Sequence, residues 1–196
     1  MKKLTREFYN RDTLKVASEL IGKILVREYG GDILSARIVE TEAYIGAIDK
    51  ASHCYKGETD RTKVMFGPPG YAYVYLIYGM YYCFNVVTEG EGCGSGVLIR
   101  GIEPIENIEI MSFNRYGKRL KDITKQQLKN ISNGPGKLCK ALNISKNENK
   151  LDLTKDELYI IDDGFKDFNL ERSKRINIDY AEEAKDFLWR FTMNRL

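Results

Sequence analysis

The chain has 196 residues, 43% of them hydrophobic and 30% charged, with a formal net charge of +3. That length suits one domain, residues 1–196, around a single substantial core, and the composition excludes a low-complexity or wholly disordered chain. So small a net charge does not by itself establish a polyanionic partner. Cys54, Cys83, Cys93 and Cys139 form no CxxC pair and show no metal-ligand spacing, so they read as reduced, mostly buried thiols. No metal or cofactor is expected. The N-terminus has charge but no apolar core, so no signal peptide is expected. The longest apolar run is broken by Gly79 and rich in tyrosine, which argues against a membrane span and for a cytoplasmic protein.

In chain order, Thr5 to Asn10 reads as a polar lead-in. Asp12 or Thr13 can cap a helix whose apolar stripe is Leu14, Val16, Ala17, Leu20 and Ile21, ending at Gly22. Lys23 to Tyr29 predicts a strand, and Gly30-Gly31 a hairpin turn. On the returning strand, Asp32 to Ile45, alternation puts Leu34, Ala36, Ile38, Glu40, Glu42 and Tyr44 on one face. An apolar face that turns acidic places a carboxylate at the border of a core, where partial desolvation raises its pKa and suits it to general-base work. The same pattern also fits an edge strand with solvated outer residues. His53, the only histidine, follows in a loop and reads as either structural or catalytic. Arg61 and Lys63 precede Pro68-Pro69-Gly70, a rigid entry into the next element.

Met65 to Val87 predicts a β-hairpin with Tyr71, Tyr73 and Tyr75 on one face and Tyr78, Gly79 and Met80 at the tip. Hairpin tips are usually polar. An apolar one can act as a wedge between stacked bases, and aromatic faces can stack on an extruded base. A hairpin buried in a sheet core has the same composition. Beyond it, Ile105, Ile108 and the run to Phe113 suggest a helix after Pro104. Between Arg115 and Lys140 lies a basic block opposed only by Asp122, which suits phosphates or a solvated helix face. Ser132 to Gly136 leads into a short helix, Lys137 to Leu142, whose first amides could hold a phosphate or a structural cap. Strands are expected at Leu158 to Ile161, at Arg175 to Ile178 and around Trp189-Arg190-Phe191, with a helical turn or two between Ala181 and Phe187.

RIVETEAYIG, ASHCYKG, MFGPPGYAYVYLIYGMYYCFNVV, GVLIRGIEPIE and SNGPGKLCKAL, in that order and spacing, resemble the alkyladenine (3-methyladenine) DNA glycosylase family from about Asp12 to Leu153. The resemblance implies a compact α+β domain with a curved, mainly antiparallel sheet, flanking helices and a hairpin directed at DNA. It implies a monofunctional glycosylase, acting as a monomer, that flips alkylated and possibly deaminated purines out of duplex DNA in base excision repair. Glu42 matches the general base that activates water, and Arg100, on a strand from Gly96 to Gly101, matches the arginine on the pocket floor. Tyr44, His53 and Tyr75 match the residues that enclose the flipped base, Asn85 a residue limiting which purines fit, and Tyr78 the side chain inserted into the duplex. Arg61 and the loop holding Gly134 and Lys137 match segments near the DNA backbone, while Glu40 is expected to be structural, bonded to backbone or to an arginine. The chain departs from the family at Arg175-Ile176-Asn177-Ile178-Asp179, where glycines are common, at Ala47-Ile48-Asp49, where a proline is frequent, and before Trp189, which lacks the usual proline.

Two other classes compete. Glu40, Glu42 and His53 could ligate a metal in a nuclease or phosphohydrolase, although such a site normally uses more carboxylates. A damaged-DNA binding module that flips bases without cutting them would need an inert Glu42.

Overall fold

The computed structural model describes residues 1–195. In chain order the elements are β1 (Lys2–Lys3), α1 (Arg6–Tyr9), α2 (Thr13–Leu20), β2 (Ile24–Tyr29), β3 (Asp32–Tyr44), β4 (Ala72–Ile77), β5 (Tyr81–Thr88) and β6 (Ser95–Glu106). There follow α3 (Ile108–Tyr116), α4 (Lys125–Lys129), α5 (Pro135–Ala141), β7 (Leu158–Asp162), β8 (Phe168–Ser173) and β9 (Arg190–Arg195). The result is the α+β architecture expected, a nine-stranded sheet in the order β1-β7-β2-β3-β6-β5-β4, with β9 joining β3 to β8 and every described pair antiparallel.

Strand β3 is the spine. Along one edge it pairs with β6; along the other it pairs first with β2, through Asp32 to Arg37, and then with β9, through Glu40 to Glu42. Its side chains do not alternate cleanly. Ile38 lies opposite Ile102 and Glu40 opposite Gly101, so Val39 is an extra residue on β3; Thr41 then lies opposite Ile99, so Arg100 is extra on β6. A bulge of this kind shifts the phase of the pleat. Leu34, Ala36 and Ile38 face the main core, and after the bulge it is Ala43 that joins them there, while the Thr41 hydroxyl donates to the Ala17 carbonyl of α2 at 2.9 Å. Glu40, Glu42 and Tyr44 therefore leave by the other face. The single six-residue face read from alternation is wrong at this point, because alternation assumes an unbroken ladder.

Helix α2 forms as expected, with the Asp12 carboxylate capping it through the Lys15 amide at 2.9 Å. Its buried stripe, Val16, Ala17 and Leu20, closes the core over β3 and β6 with Leu25, Phe84, Val86, Val97 and Ile99. Other expectations need correction. Thr5 to Asn10 is not a mere lead-in: α1 ends in Tyr9, which is fully buried, with the Phe8 ring edge-on to it at 5.4 Å and packed on the same core. Strand β6 runs on past Gly101 to Glu106 and includes Pro104; β5 pairs β6 only over Ser95 to Leu98, so the missing proline N–H faces no ladder partner there. Strand β8, mostly exposed and without an apolar alternation, was not legible and exists by pairing with β9. Arg175 to Ile178 is not a strand: Asn177 has φ 61°, and the Ile176 amide is committed elsewhere.

The bulge makes a test. Thr41→Asp would bury an unpaired carboxylate under α2, and chemical denaturation should show a loss of about 3–5 kcal/mol. An unbroken pleat would put position 41 on the face opposite Leu34 and Ile38, and the same change would then be mild.

Candidate active site

The hairpin β4–β5 reverses through Tyr78 and Gly79, both with positive φ (53° and 68°), a conformation glycine adopts freely and tyrosine rarely. Tyr78 and Met80 at its tip are 73% and 67% exposed, so the tip is not core. Facing the second strand is α5, whose Gly136 lies so close to Tyr81 that a Cβ there would sit 2.9 Å from the Tyr81 Cβ. Glycine at that position lets the helix and the hairpin form adjoining walls.

Between them, β3, β6 and the segment at 176–180 lies a cavity of about 460 Å³. Of the residues expected at the site, Tyr44, His53, Tyr75, Tyr78, Asn85, Arg100, Gly134 and Lys137 all line it. Arg61 does not; it is exposed, with its guanidinium 5.1 Å from the centre of the Tyr75 ring. Glu42 does not line it either. Its side chain is fully buried beneath the floor, behind Tyr44 and Arg100.

The walls are aromatic. Tyr73 and Tyr75, two apart on β4, stack at 5.2 Å, and the His53 ring meets Tyr75 edge-on at 4.7 Å while its Nδ1 lies 3.3 Å from the Tyr73 hydroxyl. Burial, and then the nearby Arg61 charge, push the His53 pKa down, so the ring is neutral at physiological pH. Asn85, across from Tyr73 on β5, donates its Nδ2 to the Tyr73 carbonyl at 3.1 Å, which fixes the side-chain amide. Tyr44 also lines the cavity.

The floor is a charge network. Arg100 donates from Nε to Glu40 at 3.0 Å and places Nη1 3.5 Å from Glu42, while Arg190 on β9 donates to the same Glu40 oxygen at 2.6 Å. The expectation that Glu40 is bonded to an arginine is met twice over. Glu42 accepts the Tyr44 hydroxyl at 2.8 Å on one oxygen and the Ile176 amide at 2.8 Å on the other. Burial raises the Glu42 pKa, and Arg100, the Ile176 amide and the Tyr44 hydroxyl work against that rise. For Arg100 burial opposes its charge, but Glu42 and Glu40 outweigh it and hold the guanidinium ionised. The groups weighed as metal ligands do not converge: Glu40 belongs to the arginines, Glu42 to Tyr44 and Ile176, and His53 to Tyr73. Among the described residues no group of three or more His, Cys, Asp or Glu side chains is placed to hold a metal ion.

Several site residues were not foreseen. Ile176, Ile178 and Tyr180 also line the cavity, together with Arg115 from the basic block. Arg175 and Asp49, both fully buried, form an ion pair behind Tyr44. Asp49 beside Lys50 and Arg175 beside Lys174 carry no sequence signal that singles out the pair.

The raised Glu42 pKa has a consequence for stability. Because the folded chain binds that proton more tightly than the unfolded one, the contribution is present below the ordinary glutamate range and lost as pH rises through the folded value. Glu42→Gln should therefore raise Tm at neutral pH, with the gain vanishing toward pH 4, as thermal unfolding across pH would report.

The profile of the Methylpurine-DNA glycosylase (MPG) family matches residues 7–195. A protein of Alkaliphilus oremlandii, provisionally named a 3-methyladenine DNA glycosylase, is 60% identical over 190 residues, covering 96% of this chain and 94% of the relative. Similarly named proteins of Clostridium tetani and Clostridium acetobutylicum are 59% and 57% identical, each alignment covering 96% of this chain and 94% or 93% of the relative. No helix among the described residues is long and apolar enough to cross a membrane. With sequence likeness running through the strands that carry the cavity, the chain belongs to the methylpurine-DNA glycosylase family.

Proposed function

We propose that this DNA repair glycosylase takes alkylated purines such as 3-methyladenine and 7-methylguanine, with deaminated purines as further candidate substrates, out of duplex DNA into the 460 Å³ cavity and hydrolyses the N-glycosidic bond with water activated by Glu42. The observation that carries this reading is a fully buried carboxylate held by two hydrogen bonds and an arginine immediately beneath an aromatic cavity. Each Glu42 oxygen already accepts one hydrogen bond, and a carboxylate has a second lone pair on each to accept a water proton.

In the proposed reaction water attacks C1′ of the flipped nucleotide, its proton passes to Glu42, and the C1′–N bond breaks with both electrons leaving on the base. An alkylated purine is cationic before it leaves and departs neutral, so no partner acid is required. Stacking of that cation between Tyr44 and Tyr75 contributes a cation–π interaction of roughly 0.5–2 kcal/mol. The neutral His53 adds no like charge. Tyr78 at the hairpin tip fills the space the base vacates, Asn85 limits which purine edges fit, and Arg61, Gly134 and Lys137 lie along the DNA backbone. The enzyme works as a monomer in the cytoplasm, without a cofactor and without cutting the strand.

Glu42→Gln should lower single-turnover base release by about 10²–10⁴-fold while damaged-duplex binding stays within a few-fold. The wild-type rate should fall on the acid side at a pH above the ordinary glutamate range, because the base works only when ionised. Near wild-type rates in the variant would remove Glu42 from the mechanism. Loss of activity in EDTA would favour a metal-dependent phosphohydrolase instead.

Tyr78→Ala should leave thermal unfolding almost unchanged, since the side chain is 73% exposed. Base release should fall more for a paired lesion than for one in a loosely paired context, because extrusion costs a few kcal/mol of stacking and pairing only in the former. An equal loss on both substrates would count against the wedge.

A further inference from the structure

Arg175 and Asp49 meet away from water, each side chain with no exposure, through Nη1–Oδ2 at 2.5 Å and Nη2–Oδ1 at 2.8 Å. The guanidinium also donates to the Ala43 carbonyl of β3 at 2.8 Å and to the Ala184 carbonyl at 3.1 Å. Its plane lies between the Tyr44 and Trp189 rings, 4.7 and 5.0 Å from their centres. Asp49 in turn accepts the amides of Ala51 at 3.0 Å and Ile45 at 3.3 Å, which ties down the loop leading to His53. One residue beyond Arg175, the Ile176 amide donates to Glu42. A buried bidentate pair is an expensive way to gain stability, and apolar replacements of similar volume are often as stable or more so. Its directional bonds do something an apolar pair cannot.

We propose that Asp49 and Arg175 are positioning residues for Glu42, clamping the 175–178 segment and the Tyr44 ring onto β3 so that the Ile176 amide and the Tyr44 hydroxyl stay aimed at its two oxygens. Neither residue touches the flipped base or the water; both act through the groups that hold the carboxylate. The charged and titratable groups around Glu42 are Arg100 from β6, Glu40 and Tyr44 from β3, Cys83 from β5, Tyr180 from the 176–180 segment, and Arg190 from β9, which is bound to Glu40. None of these is substituted when the clamp is removed, and among them the Tyr44 ring packs on Arg175, so a change in Glu42 behaviour reports on the clamp through Tyr44 and the Ile176 amide. The inference rests on Glu42 as the general base.

The test uses the full chain and a duplex carrying a single alkylated purine. Arg175→Met with Asp49→Leu removes both charges together and avoids stranding either one. Expected are a cooperative unfolding transition with a midpoint somewhat below that of the wild type, because the Ala43 and Ala184 carbonyls and the Ile45 and Ala51 amides lose partners, damaged-duplex binding within a few-fold, and single-turnover base release lowered about tenfold to a hundredfold, as for a misaimed reacting group. The acid limb of the rate profile should move to higher pH, because an amide that favours ionised Glu42 is no longer held against it. Arg175→Lys, which keeps the charge but cannot bridge Asp49, Ala43 and Ala184 at once, should slow base release without restoring the wild-type limb. A folded double variant with wild-type rate and pH profile would overturn the positioning role, and so would failure of both variants to fold, which would make the pair a folding element. Glu42→Gln alone separates the two readings. If it is inactive while the clamp variants are unimpaired, only the present inference fails; if it is fully active, the general base has been misassigned.

Discussion

Much of this structure follows from one irregularity, the paired bulges at Val39 on β3 and Arg100 on β6. A strand with an unbroken pleat can serve one face with its apolar residues and the other with its polar ones along its whole length. Here the first half of β3 spends Leu34, Ala36 and Ile38 on the main core, and the second half spends Ala43 there with Thr41 under α2. The bulge reverses the phase between them, so Glu40, Glu42 and Tyr44 emerge together on the cavity side. The matching bulge on β6 brings Arg100 out beside them, within hydrogen-bond distance of Glu40. Bulges recur beside functional sites for this reason: they re-aim side chains without ending the sheet.

Once those carboxylates are turned inward they have to be held. A buried ion costs several kcal/mol of hydration unless it is paired and hydrogen-bonded. The chain answers with arginines from three different elements. Arg100 from β6 serves Glu40 and Glu42, Arg190 from β9 serves Glu40, and Arg175 from the loop before β9 serves Asp49. The C-terminal strand is thereby bound to the middle of β3 by charge as well as by the backbone ladder. Burial raises the Glu42 pKa, and the network works against that rise while fixing the direction of both carboxylate oxygens.

The hairpin poses the opposite problem. Its inward face is aromatic and packed, with Tyr73 and Tyr75 stacked and His53 set edge-on against Tyr75, while its tip carries large side chains into water. Exposing Tyr78 and Met80 contributes nothing to folding, and the positive φ at Tyr78 is unfavourable for a residue with a Cβ. A partner that covers the tip would account for both features, and duplex DNA in the proposed reaction is such a partner.

The sequence by itself determined the local elements whose signals are local: the Asp12 cap and the stripe of α2, the Gly30-Gly31 turn, the hairpin of alternating tyrosines, and the buried thiols at Cys54, Cys83 and Cys139. Through five linked motifs it also determined the family and therefore which residues to suspect. Only the tertiary structure decided which face of β3 Glu42 occupies, because the phase change at Val39 depends on how β6 pairs with it and leaves no mark in residue type. The same holds for Arg175 and Asp49. Their sequence separation is large, their neighbours are ordinary loop residues, and nothing in either loop states that the other will close over it. Strand β8 was invisible because most of its side chains are solvated, so its place is set by the backbone ladder with β9 and by contacts such as Phe168 on the main core, all of them distant in sequence. Local sequence encodes propensity and pattern, whereas phase, pairing and the neutralisation of buried charge are properties of segments far apart in the chain that meet only on folding.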